Sequence, residues 1–187
     1  MQFLLHPSSV GAVAPSSRYL AQAMVDAVDW SDCRSVVEYG PGTGVFTEQI
    51  LKRRTPGTPV MIIERNENFC RQLEERFQGA EHFYLVQGSA ENAADYLAER
   101  NLPIPDAILS GLPFASLPKE VSETILARTA SLLAAEKPGI FVTFQYSLLK
   151  MTLLETHLRL AAHRRVWRNF PPAHVLTLTP KHQRSNP

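Results

Sequence analysis

Three glycines at alternating positions and two glutamates are the residues of this chain whose types and spacing could do chemistry. Glu38-Tyr39-Gly40-Pro41-Gly42-Thr43-Gly44 follows the apolar run Ser35-Val36-Val37 and precedes Val45 to Arg53, in which Val45, Phe46, Gln49 and Ile50 can share a helical face. A strand, a glycine loop and a helix in that order let backbone approach a ligand closely, because glycine has no Cβ and reaches positive φ. The helix adds free N–H groups and a positive dipole end. Spacing sorts the possible ligands. A dinucleotide fingerprint needs Gly-x-Gly-x-x-Gly, whereas here Gly44 comes a residue early and Val45 stands where that pattern wants glycine. The phosphate-gripping Gly-x-x-x-x-Gly-Lys-Ser/Thr is absent. Glu64 ends the apolar run Val60-Met61-Ile62-Ile63. An acid at the tip of a second strand can accept hydrogen bonds from both ribose hydroxyls of an adenosine, which supports a nucleoside cofactor without choosing one.

The rest of the chain supplies elements to hold these groups. Residues 1–17 carry no Asp, Glu, Lys or Arg, contain Pro7, Gly11 and Pro15, and read as an extended arm. Ser16 or Ser17 can cap a helix running to about Val28, with Leu20, Met24, Ala27 and Val28 on its apolar face. Strands are expected over 35–39, 60–64, 83–86, 106–110 and 140–144, the second buried on both faces as in a parallel sheet. Helices are expected over 45–53, from an Asn66 cap to about Phe77, over 90–100, over 118–134 and around 149–162. Arg165 to Phe170, Pro171-Pro172 and His174 to Thr179 read as a closing hairpin, and 181–187 as a frayed tail. Ser89 is either the cap of the helix after it or a polar group facing a bound base. Strands alternating with helices, then a final strand pair, imply an α/β, doubly wound sheet with an antiparallel end.

Length and composition bound the answer. At 187 residues the chain is expected to be a single domain over 1–187. Its 44% hydrophobic and 20% charged content is ordinary for a soluble globular protein, and a net charge of +1 advertises no bulk attraction to nucleic acid. The charge is uneven, however. No acid follows Glu155, while Arg159, Arg164, Arg165, Arg168, Lys181 and Arg184 do, a basic stretch suited to phosphates of lipid or nucleic acid. Cys33 and Cys70 are the only cysteines and form no CxxC, so they read as reduced thiols in a cytosolic protein. The short Phe3-Leu4-Leu5 run is no signal peptide, and nothing approaches a membrane-spanning run. The histidines show no metal-ligand spacing, and no metal is expected.

The Glu-x-Gly-x-Gly-x-Gly loop with its strand–loop–helix setting resembles the first motif of the class I S-adenosylmethionine-dependent methyltransferases. The resemblance implies a Rossmann-like fold with a seven-stranded sheet, S-adenosylmethionine as cofactor and S-adenosylhomocysteine as product. It places Glu38, Tyr39, Gly40, Gly42, Gly44, Glu64, Arg65, Ser89, Ala90 and Gly111 around the cofactor. Gly111-Leu112-Pro113-Phe114, at the carboxyl end of the fourth strand, resembles the Asn-(Leu/Pro)-Pro-(Tyr/Phe) motif of amino-group methyltransferases such as the ribosomal RNA adenine dimethylases. Here Gly111 replaces the asparagine and removes its side-chain acceptor.

Longer phrases are similar to the bacterial phospholipid N-methyltransferase family: Val10-Gly11-Ala12-Val13-Ala14-Pro15-Ser16-Ser17-Arg18, the glycine loop, Ser110 to Pro118, and Trp167-Arg168-Asn169-Phe170-Pro171-Pro172-Ala173. That resemblance implies stepwise methylation of phosphatidylethanolamine towards phosphatidylcholine by a cytosolic enzyme in peripheral contact with the inner face of the cell membrane. Members commonly dock through an amphipathic N-terminal helix, for which only residues 1–9 precede Val10. Methyl transfer from a sulfonium is an in-line displacement governed by positioning and electrostatics. The carbonyls near Gly111 and Leu112 are the expected amine acceptors, with Pro113 an expected catalytic-site position beside them. Phe114, Tyr19 and Tyr146 are the expected walls for a cationic head group, with Arg18 a candidate for its phosphate. The alternatives are an RNA adenine N6-methyltransferase and a non-catalytic S-adenosylmethionine-binding protein.

Overall fold

A computed structural model of the chain describes residues 17–148 and 151–181. The expected N-terminal arm, apart from Ser17, and the tail beyond Lys181 lie outside the described residues. Strands β1 (Val36–Tyr39), β2 (Val60–Glu64), β3 (Phe83–Gln87), β4 (Ala107–Ser110), β5 (Ile140–Gln145), β6 (Leu158–Val166) and β7 (Ala173–Pro180) form a seven-stranded sheet in the order β3-β2-β1-β4-β5-β7-β6. The first five are parallel; β7 runs antiparallel to both β5 and β6.

Period-two alternation in the buried strands sends side chains to two cores. Val36, Val60, Ile62, Leu109 and Val142 pack with α1 (Arg18–Val25), α2 (Val45–Arg53) and α3 (Glu67–Arg76) through Leu20, Met24, Phe46, Ile50 and Leu73. Val37, Tyr39, Met61, Ile63, Ile108 and Phe141 pack with α4 (Ala93–Glu99), α5 (Lys119–Leu133) and α6 (Met151–Leu154) through Leu97, Ile125, Leu126, Leu133 and Leu154. Both faces of the central strands are therefore covered, as their unbroken apolar runs predict.

Caps set the helix starts. The Ser17 hydroxyl accepts from Leu20 N at 3.2 Å, and Asn66 Oδ1 accepts from the amides of Asn68 and Phe69 at 2.9 and 3.2 Å. α1 ends at Val25, short of the expected Val28, with Trp30 Nε1 donating to Val25 O at 2.8 Å. The expected helix over 90–100 is split into a 3₁₀ turn (Ala90–Asn92) and α4.

The expected helix around 149–162 is corrected. Only Met151–Leu154 is helical among the described residues there, and Leu158–Val166 is the edge strand β6. Two features hide the strand. Its register with β7 shifts between Leu160 and Ala162, which breaks the alternation, and only Leu158 and Val166 along it are buried. Apart from His163, the rest is Leu, Ala and Arg, all good helix formers.

Candidate active site

The strand order reverses at β1, which lies between β2 and β4. Helices leave its two sides for opposite faces of the sheet, opening a crevice beyond the carboxyl ends of the strands. The loops at these tips are tied together by backbone. Gly40 N donates to Ile63 O at 2.9 Å and Gly111 N to Tyr39 O at 2.8 Å. A Cβ on Gly111 would lie 2.5 Å from Gly40 O, and one on Gly40, at φ +61°, would lie 2.6 Å from Leu112 Cδ2. Bare backbone at both positions is what allows the β1 and β4 loops to touch. A side chain at position 111 would need the space that Gly40 O occupies. Gly42 differs: at φ +56° it has nothing within 4 Å of an added Cβ, so its face is open to a ligand. Gly44 is the N-cap of α2, and its missing Cβ makes room for Leu73 and Phe77. Its Cβ side therefore faces the α3 packing, while its backbone closes the loop at the start of α2.

Glu64 sits at the tip of β2 with its carboxylate held by the loop. Oε2 accepts from Gly42 N at 3.2 Å and Oε1 from Asn66 N at 2.8 Å. A carboxylate offers about four lone-pair sites, so two remain for ribose hydroxyls. Gly40, Ile63, Glu64, Arg65, Ser89, Ala90 and Leu112 line one cleft, of about 500 Å³ counting its open mouth. Ser89 is the N-cap of the 3₁₀ turn through its backbone and makes no capping bond through its side chain, and it also lines this cleft, so both sequence readings stay open. The sequence did not single out Leu117 and Val121 as site residues. They form the cleft's apolar wall, and their spacing of one helical turn next to the Pro113 loop was the available signal.

Glu38 lies behind the loop, 0% exposed. Its Oε2 accepts from Thr47 Oγ1 at 2.7 Å, while Oε1 is buried without a partner among the described residues. Burial first, and the nearby Glu64 charge among the lesser causes, pushes its carboxyl up to about 8 despite the Thr47 bond. Thr47 was not foreseen as a site residue; a hydroxyl in the first turn of α2 was its only signal.

Several expected site residues are placed elsewhere. The Tyr39 side chain is in the core against α5, where Thr129 Oγ1 donates to its hydroxyl at 3.4 Å. Its backbone alone reaches the loop junction, through Tyr39 O. Phe114 is 1% exposed and packs edge-on to Phe141, centroids 6.0 Å apart. It is a core residue, not a wall for a cation, because the turn folds its ring inward beneath α5. Of the turn's carbonyls, Leu112 O accepts from Phe114 N at 3.0 Å, and Pro113 O accepts from Ser116 N and Leu117 N at 2.7 and 3.1 Å. Gly111 O accepts none from the described residues, which makes it the better-disposed amine acceptor.

Tyr19 and Tyr146 stand at one side. Phe46 lies 3.6 Å from the space a Gly111 Cβ would fill; it stacks edge-on with Phe144, which stacks edge-on with Tyr146. Tyr146 is thus two rings removed from the turn. Its hydroxyl is buried near the Asn169 side chain without an aligned hydrogen bond. Tyr19 is partly exposed, with Arg18 donating to its hydroxyl at 3.1 Å and the Arg168 guanidinium 5.3 Å from its ring centre.

These residues fit S-adenosylmethionine. The buried, unpartnered Glu38 Oε1 calls for a donor, which the cofactor's ammonium can supply. Gly42 is open for close approach, Glu64 retains acceptors for a ribose, and Ser89 and Ala90 border the space for a base. A roomier groove between α4 and α5 contains Tyr39, Ala90 and Arg128 but none of the loop glycines, and it offers no such set. When bound, the cofactor supplies a methyl group made electrophilic by its sulfonium. Fold and site together define a class I S-adenosylmethionine-dependent methyltransferase. Residues 16–170 match the ribosomal RNA adenine dimethylase family, and the chain belongs to that family.

Individual relatives add detail. The ornithine lipid N-methyltransferase of Singulisphaera acidiphila is 35% identical over 133 residues, 71% of this chain and 69% of the relative. Ribosomal RNA small subunit methyltransferase A of Acaryochloris marina is 24% identical over 68% of this chain, a match that spans only 44% of that protein. Among solved structures, N-methyltransferase NodS of Bradyrhizobium japonicum WM9 superposes with TM-score 0.70 at 11% identity, over 88% of this chain and 96% of that one. TrmN of Thermus thermophilus gives 0.68 at 19% identity, over 87% of this chain and 48% of that one. At such identities these structures show the fold alone.

Proposed function

We propose that the chain N-methylates the primary amine of a membrane lipid head group, phosphatidylethanolamine or a lipid of similar amine chemistry. The observation that carries this reading is the 35% identity to an ornithine lipid N-methyltransferase across 71% of the chain. The turn after β4 agrees with it. Gly111 leaves no side-chain acceptor of the kind that grips a nucleobase amine, and Phe114 is turned into the core, away from any base it could stack on. A flexible alkyl amine needs less: one carbonyl to accept an N–H and an apolar margin beside it. Gly111 O and Leu112 provide these.

The amine arrives as an ammonium and loses a proton before it attacks. The Gly111–Phe114 turn carries no titratable side chain, so the proton leaves to water at the open mouth. The neutral amine keeps two N–H groups, and the turn holds one of them on a carbonyl, which aims the lone pair.

Methylation of RNA adenine is the second reading, favoured by the family match over residues 16–170. Labelled S-adenosylmethionine with vesicles of phosphatidylethanolamine, vesicles of ornithine lipid, and total RNA separates the two. Label in mono-, di- or trimethylated lipid is expected. Label confined to RNA would overturn the lipid reading, and cofactor binding without turnover on any of the three would favour a non-catalytic role.

A further inference from the structure

The geometry points to the β6–β7 turn, residues 167–172, as a docking surface that inserts into the head-group region of an anionic lipid bilayer. The inference rests on the lipid reading of the acceptor site above. The turn stands at the functional end of the sheet. Gln145, the last residue of β5, pairs with His174, and Val166 pairs with Ala173, so the turn projects from the same edge as the 40–44 and 111–118 loops. It is also joined to the start of α1: Asn169 Oδ1 accepts from Ser17 N at 3.1 Å, and Ser17 Oγ donates to Arg168 O at 3.3 Å.

Its tip is apolar and bare. Phe170 is 89% exposed and Trp167 is 67% exposed, the two most exposed large apolar side chains among the described residues. Pro171 and Pro172 follow, with no backbone N–H to hydrate. Cations ring this tip. The Arg165 guanidinium lies 3.8 Å from the Trp167 ring centre, and Arg18 and Arg168 flank Tyr19 at 5.0 and 5.3 Å. Arg18, Arg165 and Arg168 make no ion pair among the described residues, and no acid follows Glu155 in the chain. Trp and Tyr with an apolar neighbour, flanked by Arg, is the composition that settles at a bilayer interface. The rings enter the acyl boundary while the guanidiniums stay with phosphates. Single-stranded RNA would also meet cations and aromatics. The tip of a hairpin suits it less, because one face of Trp167 is already covered by Arg165 and the prolines offer no donors to base edges.

Docking here would present the acceptor cleft to head groups without removing a lipid from the membrane. The test uses the full chain and co-sedimentation with vesicles of phosphatidylethanolamine and phosphatidylglycerol. The wild type is expected to partition onto them, more weakly at high salt. Trp167→Ser with Phe170→Ser should lower the partition coefficient about tenfold or more, with the melting temperature and S-adenosylhomocysteine affinity unchanged. Arg165→Gln should lower it about fivefold, the loss of one cation near an anionic surface. Equal partitioning of the wild type and the double variant would overturn the proposal, as would wild-type binding to RNA with none to vesicles. The substrate reading fails separately. Vesicle binding lost in the double variant, with no lipid labelled by the wild type, keeps the docking surface and removes the substrate. Vesicle lipid methylated at full rate by the double variant does the reverse.

Discussion

Glu38 concentrates the electrostatics of the site. Its carboxyl is pushed up to about 8 from the usual 4.5 because it is wholly buried. A raised acid pKa favours the protonated fold, so the folded state holds a proton that the unfolded chain has released between these values. Stability should therefore fall as pH rises from about 4.5 to about 8, by a few kcal/mol in total. In Glu38→Gln that slope should flatten, which urea unfolding across the pH range will read. A wild type whose stability rises through the window would contradict the burial argument. Gly111 makes the second prediction at this scale. Gly111→Ala places a methyl 2.5 Å from Gly40 O, which is backbone and cannot swing aside. A loss of about 1–3 kcal/mol in stability is expected, with weaker cofactor binding as the β1 and β4 loops part; thermal melts with and without S-adenosylhomocysteine check both. The glycine loop and Glu64 were legible in the sequence because glycine spacing and an acid at a strand tip are local patterns. Phe114 and Tyr39 were not. Which way a ring turns is decided by α5 and Phe141, far along the chain. Thr47 became a site residue only when α2 laid it against β1.

At the scale of elements, the parallel core was readable because its strands are apolar throughout and its helices begin at capping residues. Asn66 and Ser17 both cap as their types predict. Ser17 does more, since it joins α1 to the β6–β7 turn through Arg168 and Asn169. Ser17→Ala should cost about 1 kcal/mol, seen as a drop of about 2–4 °C in melting temperature for a chain of this size. No loss at all would mean that α1 is held by its apolar face alone. The edge strand β6 escaped sequence reading for the opposite reason to the core strands: it is exposed, interrupted by a register shift, and made of residues that favour helices.

At the scale of the whole molecule, the sheet keeps its cofactor loops, acceptor turn and basic aromatic hairpin at one end. Among the described residues no helix is long and apolar enough to cross a membrane. The doubly wound form of the sheet follows from the chain's alternation of elements, whereas the choice of methyl acceptor depends on a few loop atoms. A lipid amine and an adenine amine both need an acceptor beside the same methyl, and on the lipid reading proposed above Gly111 O is that acceptor.

The most direct measurement is a crystal structure with S-adenosylhomocysteine. Its ribose is expected on Glu64, its base beside Ser89 and Ala90, its amino-acid end over Gly40 and Gly42 with the ammonium towards Glu38, and its sulfur facing the Gly111–Leu112 turn. Density for the nucleoside in the groove between α4 and α5, with the Gly40–Gly42 loop empty, would contradict it.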